Sequence, residues 1–413
     1  MPAPIETHRS YLRRLLAWAL LPLLGAVLCN ALVDPLRLLD YAGLPGWTLN
    51  KPALRDQERL FKPYAVVRQR PEVVLLGSSR SNHALDPDHP AFAGQRTYNL
   101  SLSGTNVTEM RQMFEHALAQ GALKQAVLEM DIGFFNAAAQ GSSGGFPYAD
   151  TVAAVHRWQR RERALQTAAS WDTLALSWQT LRGQRSPWEY TDGGRQGDSV
   201  FENRIAMYGG MRATVEGYMR RLLPAEQQLA AAWDASGAPP DALPGMQDLR
   251  ALLDLARERG VQVAIYLSPV HAIDACATRA VFGAERIDAW RAALVALSDE
   301  QARKSAGAFI VPVWDFSGFN SVTTEPLPAT GDRHARMAHY WDQSHYRKQV
   351  GDWVLDRIFS LPHPRVPPPA DFGVRLEAQN LAAHFAFERD AAENYAISHT
   401  DVTRFVAGLT HGY

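Results

Sequence analysis

Cysteine is nearly absent from this chain of 413 residues: there are two, Cys29 and Cys276. Cys29 falls inside an apolar N-terminal run, which leaves Cys276 without an obvious intramolecular partner, so neither a disulfide framework nor a Cys-based zinc site follows. An excess of one charge is also lacking. Lys and Arg number 42 against 43 Asp and Glu, a net charge of −1, and there is no basic surplus of the kind a nucleic-acid partner selects. Beyond one N-terminal stretch there is no long hydrophobic run, which excludes a multispanning membrane protein. No internal repeat is visible. Neither G-x-G-x-x-G nor a P-loop lysine occurs, so a nucleotide-binding α/β protein that uses a glycine turn for phosphate is a weak alternative. No motif implies a cofactor or a metal. With 46% apolar and 21% charged residues, the remainder is a globular chain long enough for one large domain or two ordinary ones.

The N-terminal stretch is the first positive feature. Residues 1–14 carry Arg9, Arg13 and Arg14, and residues 15–33, LLAWALLPLLGAVLCNALV, contain no charge. That length is close to the roughly 20 residues needed to cross a bilayer. Arginines before the run, with Asp34 and Asp40 after it, predict a cytoplasmic N-terminus and an exported body. Cys29-Asn30-Ala31 is a poor signal-peptidase site and Leu28 a poor residue before a lipoprotein cysteine, so the run reads as a signal anchor. Residues 34–70 form a connector.

The next stretch organises the rest. Residues 71–90 read PEVVLLGSSRSNHALDPDHP. Val73 to Leu76 is a short apolar, β-branched run, as expected of a strand buried on both faces of a parallel sheet. It ends at Gly77-Ser78-Ser79-Arg80, a small polar turn where α/β proteins place their chemistry. Further strands are predicted at 98–102, 126–130, 261–267 and 308–314, with helices at 107–120, 249–259, about 279–304 and from His345 to about Phe359. This rhythm predicts an α/β domain over 71–360 with five parallel strands. A helical insertion at about 137–245 interrupts it and holds Trp158, Trp171, Trp178, Trp188 and Trp233. These tryptophans are expected to pack the insertion onto the sheet, the alternative being stacking on sugar rings. Residues 361–370, LPHPRVPPPA, read as a proline-rich linker before a partly helical tail to 413.

The turn after the first strand offers Ser79 as a nucleophile. A serine hydroxyl needs a base to take its proton as it attacks. Trp341-Asp342-Gln343-Ser344-His345 follows the fifth strand and offers His345 as that base, with Asp342 to orient it. Taken alone, a D-x-x-H is equally an aspartate cap beside a surface histidine. What argues for a Ser-His-Asp triad is that both segments fall on the carboxyl edge of one sheet. An acyl-transfer site also needs oxyanion donors. The candidates are the backbone N–H of Ser79, Gly104 in the turn after the second strand, and a side-chain amide from either Asn106 or Asn136. Arg80 either holds an anionic group of the substrate or pairs with a nearby acid. His271, at the end of the fourth strand, either lines the crevice or is structural. His83 and His89, near Asp86 and Asp88, are expected to be surface histidines of a proline-bounded turn.

These residues resemble the SGNH/GDSL hydrolase superfamily. Its first block, G-D-S, is matched by Gly77-Ser78-Ser79 with serine in place of aspartate. Gly104 matches the glycine of the second block, and Asp342 with His345 the final D-x-x-H. The third block, G-x-N-D, is not recognisable, and Asp131 to Asn136 stands in its place. The resemblance covers about 71–136 and 261–359, and it implies a flavodoxin-like sheet with Ser79 as nucleophile. Within the superfamily the chain is similar to membrane-anchored cell-envelope members, the DltD family of D-alanyl-transfer proteins and the SGNH-like proteins that work with membrane-bound O-acyltransferases in acetylating exopolysaccharides. The implied function is extracytoplasmic O-acyl transfer, with acetyl the expected group, to a cell-surface polysaccharide. The implied partners are a membrane-bound acyl donor and that polysaccharide, at the cytoplasmic membrane of a cell with a periplasm. An esterase with the same triad and a non-catalytic assembly factor are the alternatives.

Overall fold

The computed structural model describes residues 5–39, 43–135 and 157–410. In chain order the elements begin with helices α1 (Ile5–Val33) and α2 (Glu58–Gln69). There follow strand β1 (Val73–Leu76), α3 (Ser79–Ala84), β2 (Thr97–Asn99), α4 (Val107–Leu118) and β3 (Gln125–Met130). Five helices come next: α5 (Arg157–Ala168), α6 (Trp171–Arg182), α7 (Ser199–Tyr208), α8 (Met211–Ser236) and α9 (Pro244–Arg259). The chain then runs through β4 (Gln262–Leu267), α10 (Ala272–Phe282), α11 (Ala284–Lys304), β5 (Val313–Asp315), α12 (Lys348–Ile358), β6 (Val374–Leu376), α13 (Leu381–Ser398) and α14 (Thr400–Thr410).

Two compact units emerge. One comprises residues 1–68 with 146–190, and the other 69–145 with 191–413. The segment expected to be a single insertion is therefore shared between them. In the first unit, α1 is long and apolar enough over His8–Val33 to cross a membrane. Its large apolar side chains stand uncovered, Trp18 being 75% exposed, whereas an ordinary core helix buries its apolar stripe. The carboxyl end of α1 is pinned. Asn30 Nδ2 donates to Ala168 O at 2.8 Å, and Ser177 Oγ donates to Asn30 Oδ1 at 2.8 Å. Leu36, Leu38, Leu60, Tyr64 and Ala164 form a small core there. Three of the five tryptophans expected to pack against the sheet, Trp171, Trp178 and Trp188, belong to this unit and are exposed. All six strands of the described residues belong to the other unit. Trp233 is buried, in α8.

The second unit is an α/β domain around a six-stranded sheet in the order β2-β1-β3-β4-β5-β6. The first five strands pair in parallel, with Leu75 level with Asn99 on one side and Val127 on the other. All four residues of β1 are buried, which is why its sequence is apolar throughout and not alternating. The expectation of a purely parallel, five-stranded sheet is corrected at one edge, where β6 pairs antiparallel with β5 through Val313 and Leu376. That strand is three residues long and leaves Val374 and Arg375 exposed, so it carries almost no periodic signal. The residues beyond the proline-rich stretch are part of the unit, since Tyr395, Val402 and Val406 are buried in its main core. The single helix expected over 279–304 is two, α10 and α11, broken at Gly283 with φ +80°, a backbone geometry that favours glycine.

The crossover from β1 runs to β2 on one side, and that from its other neighbour, β3, runs to β4 on the opposite side. A crevice opens at the carboxyl ends of the strands where the order reverses in this way. The chain leaves β1 directly into Gly77-Ser78-Ser79.

Candidate active site

Gly77 turns the chain out of the sheet beneath a tight lid of neighbours. A Cβ here would collide with Ser81 Oγ and the Glu129 side chain, so the turn is open to glycine alone. Glu129, a fully buried carboxylate in β3, holds the next residues. It accepts from Ser78 N at 2.8 Å, from Ser78 Oγ at 3.0 Å and from Ser81 N at 3.3 Å. Ser78 Oγ in turn caps α3 by accepting from Arg80 N at 3.2 Å. Ser79 is thereby set at the first position of α3 with its hydroxyl directed to His345.

Ser79 Oγ lies 2.8 Å from His345 Nε2, and His345 Nδ1 lies 2.9 Å from both oxygens of Asp342. Asp342 is fully buried. Burial alone would raise its pKa, but the adjacent His345 and the N–H groups of Ser344 and His345 hold it down at about 2. It is therefore ionised and can only accept, which assigns the Nδ1 proton of a neutral ring and leaves Nε2 to accept from Ser79. The three residues picked from the sequence meet as a Ser-His-Asp relay. Its second half sits in a closed turn: Trp341 N donates to His345 O at 2.8 Å, and Tyr340 and Tyr346 bridge across the base.

Two contacts set the halves against each other. A methyl on Gly351 of α12 would collide with the Ala84 carbonyl at the end of α3, so glycine lets the two helices touch at the backbone. Lys348, at the start of α12, pairs with Asp86 at 2.9 Å. Aromatic rings wall the histidine, Phe201 of α7 at 5.0 Å and His83 at 6.1 Å between centroids. Arg204, also on α7, reaches Asp342 Oδ2 at 3.2 Å.

The backbone N–H of Ser79 has no acceptor among the described residues. The β2–α4 loop lies beside it, since Leu102 N donates to Gly77 O at 2.8 Å and Ser81 Oγ to Ser101 Oγ at 2.8 Å. In that loop Gly104 adopts φ +64°. Asn106 is the N-cap of α4, with Oδ1 accepting from Glu109 N at 2.9 Å. The cap assigns the amide orientation and leaves Nδ2 without a partner among the described residues. Asn136 lies outside the described residues.

Arg80 is held internally, with Nη1 on Asp131 Oδ2 at 2.7 Å and Nε on Glu129 Oε1 at 3.2 Å. This favours the reading of Arg80 as the partner of nearby acids. Glu226 and Asp274 stand near the same pair, and burial, with the neighbouring carboxylates adding to it, raises the pKa of both. His271 is structural. Its Nδ1 accepts from Ile273 N at 3.1 Å as the cap of α10, and Nε2 donates to Glu325 O at 2.7 Å. His83 and His89 are buried, which corrects the expectation of surface histidines. His83 packs on Phe201, and His89 caps a short turn and lies 3.4 Å from Asp356.

Burial lowers the His271 pKa from its ordinary 6.5 to about 4. The unfolded chain then binds a proton that the folded protein refuses, so stability falls as pH drops from about 6.5 to 4. The full loss is about 3 kcal/mol at roughly 1.4 kcal/mol per pKa unit. His271→Ser keeps a capping oxygen and cannot titrate. The wild-type unfolding free energy minus that of the variant, measured by denaturant titration from pH 7 to 4, is expected to fall by that amount. A constant difference would refute the assignment.

Glu129, Arg204 and Phe201 were not found from the sequence. Glu129 did leave a trace, as a lone charge inside the apolar strand QAVLEM. Arg204 and Phe201 leave none, because a helix in a long insertion says nothing about which face meets a distant turn. Comparison with protein-family models and with curated proteins finds no match.

Proposed function

We propose that this protein is a membrane-anchored serine acyltransferase of SGNH type that moves an O-linked acyl group, acetyl in the first instance, onto a polysaccharide outside the cytoplasmic membrane. The observation that carries the reading is the relay Ser79–His345–Asp342, with Oγ to Nε2 at 2.8 Å and Nδ1 to carboxylate at 2.9 Å. Ser79 Oγ would bond to the acyl carbon while its proton passes to His345 Nε2, and the departing alcohol would take that proton. An acceptor hydroxyl would then attack the acyl-serine, giving its proton to His345, and Ser79 would recover it. The N–H of Ser79, with Gly104 and Asn106 beside it, supplies donors for the oxyanion. The strand order 2-1-3-4-5 within the sheet supports the SGNH assignment. Arginines ahead of an apolar α1 support an exported catalytic unit, and an anchored enzyme suits a membrane-bound acyl donor.

The test is intact-mass analysis of the full chain in detergent after treatment with a fluorophosphonate, wild type beside Ser79→Ala. A single adduct on wild type and none on the variant is expected. Folded wild-type protein that stays unmodified would overturn the catalytic reading in favour of an assembly factor.

A further inference from the structure

Helix α6 (Trp171–Arg182) is built inside out. Its buried side carries Thr173, Ser177 and Thr180, each no more than 5% exposed, while Trp171 and Trp178 stand 64% and 57% exposed. A helix in water does the reverse and turns its apolar stripe to the core. Leu174 and Leu181, both half-buried, flank the two tryptophans. At 3.6 residues per turn the four side chains share a sector of about 80°. Arg182 borders that sector, with its guanidinium 4.5 Å from the centre of the Trp178 ring. Asp172 and Gln179 are exposed on the adjoining side, so the outer surface of α6 has one apolar edge and one polar edge.

The buried side packs against the end of α1. Ser177 Oγ donates to Asn30 Oδ1 at 2.8 Å, and Asn30 Nδ2 donates to Ala168 O at 2.8 Å and to Ser170 O at 3.1 Å. Asn30 thus joins the last turns of α1 to the start of α6. The uncharged run of α1 covers 19 residues and ends at Val33. As a helix it is about 28 Å long, close to the roughly 30 Å of a hydrocarbon core. Asn30 lies about 5 Å short of its end. With α1 across a bilayer, Asn30 stands at the boundary of acyl chains and headgroups, and Trp171, which follows Ser170, stands at that depth. Small and hydroxyl side chains at a helix contact, with large apolar ones outward, are the arrangement that lipid favours. Tryptophan is enriched at that boundary, and a helix with one apolar and one polar edge lies along it. A sugar stacked on the tryptophans would leave Leu174 and Leu181 uncovered. We propose that α6 is embedded in the membrane surface at the carboxyl end of α1, with Trp171, Leu174, Trp178 and Leu181 toward the acyl chains and Asp172 and Gln179 toward headgroups and water. The proposal rests on α1 being a membrane span and not on the chemistry of Ser79. The first unit then holds the bilayer by two elements, α1 and α6, and keeps one orientation to it.

The test is spin-label accessibility on the full chain in vesicles of phosphatidylcholine and phosphatidylglycerol. In a Cys29→Ala, Cys276→Ala background a nitroxide is attached, one site at a time, after Trp171→Cys, Asp172→Cys, Leu174→Cys, Trp178→Cys, Gln179→Cys and, within the span, Leu20→Cys. These α6 side chains are exposed or half-buried, so replacing them leaves the core intact, and positions 171 and 178 report the same edge should one variant misfold. Relaxation by oxygen, which concentrates in lipid, is compared with relaxation by a water-soluble nickel chelate. Oxygen is expected to dominate at 171, 174 and 178 and the chelate at 172 and 179, so that the ratio reverses with the helical period. Chelate dominance at all five positions, with oxygen dominant at 20, would overturn the proposal alone and leave the tryptophans to a ligand from water such as a glycan. Protection from both reagents at 171 and 178 would overturn it in favour of a covering protein surface. Chelate access at 20 would instead overturn the membrane-span reading, and the proposal with it.

Discussion

Asp342→Asn is expected to lower the turnover of an activated acetyl ester by about 10⁴-fold while leaving the fold in place. The asparagine carbonyl can still accept from the Ser344 and His345 N–H groups, now 3.0 and 2.8 Å from Asp342 Oδ1. Its NH₂ group would then stand in the place of Oδ2, 2.9 Å from His345 Nδ1 and 3.2 Å from the Arg204 guanidinium. The guanidinium cannot accept, so the NH₂ donates to His345 Nδ1. The ring then carries its proton on Nε2 and can no longer accept from Ser79. His345→Ala should cost at least as much, and the double variant little more than either alone, because the residues act as one unit. Steady-state ester hydrolysis and the rate of fluorophosphonate labelling measure the effect. A variant that keeps a tenth of the wild-type rate would show that the relay is not the catalytic device.

Glu129→Ala is expected to have the largest effect on stability, about 3–5 kcal/mol. The substitution deprives the Ser78 and Ser81 N–H groups of their acceptor and takes from the Arg80 guanidinium one of its two carboxylates. The two N–H donors cannot turn to water, since Ser78 and Ser81 are buried. Glu129→Gln preserves the shape and one acceptor, but sets an NH₂ group among donors. It should cost about 1–3 kcal/mol and slow the labelling of Ser79, because the carboxylate holds the turn that aims the hydroxyl. The midpoint of urea unfolding, followed on the protein in detergent, reads the first effect. An unchanged midpoint for Glu129→Ala would mean that the carboxylate is not what holds the Ser79 turn.

The two substitutions separate roles that proximity merges. Asp342→Asn should act chiefly on rate, since the carbonyl keeps the turn's N–H groups satisfied, whereas Glu129 acts on backbone geometry and should change both stability and rate. The surroundings of Arg80 follow the second pattern. Its charge is shared between Asp131 and Glu129, so it fastens the Ser79 turn to the end of β3.

Much of this was legible before any coordinates. The apolar run Val73–Leu76 could only be a strand buried on both faces, and its polar, glycine-led ending marked the sheet edge where Ser79 sits. The pair Asp342 and His345 was legible because three residues of spacing in a turn place both side chains on one side. Strand periodicity, glycine stops and an uncharged N-terminal run are local properties, dictated by backbone sterics and by the side chains' affinity for water. Partners remote in the chain were decided by packing. Glu129 meets Ser78 across 51 residues, and Arg204 meets Asp342 across 138. The antiparallel strand Val374–Leu376 takes its place from the edge of β5, not from a pattern of its own. Local sequence specifies where the backbone bends and which faces avoid water. Which distant charge fills a particular gap depends on how the faces come together, and only the tertiary structure contains that.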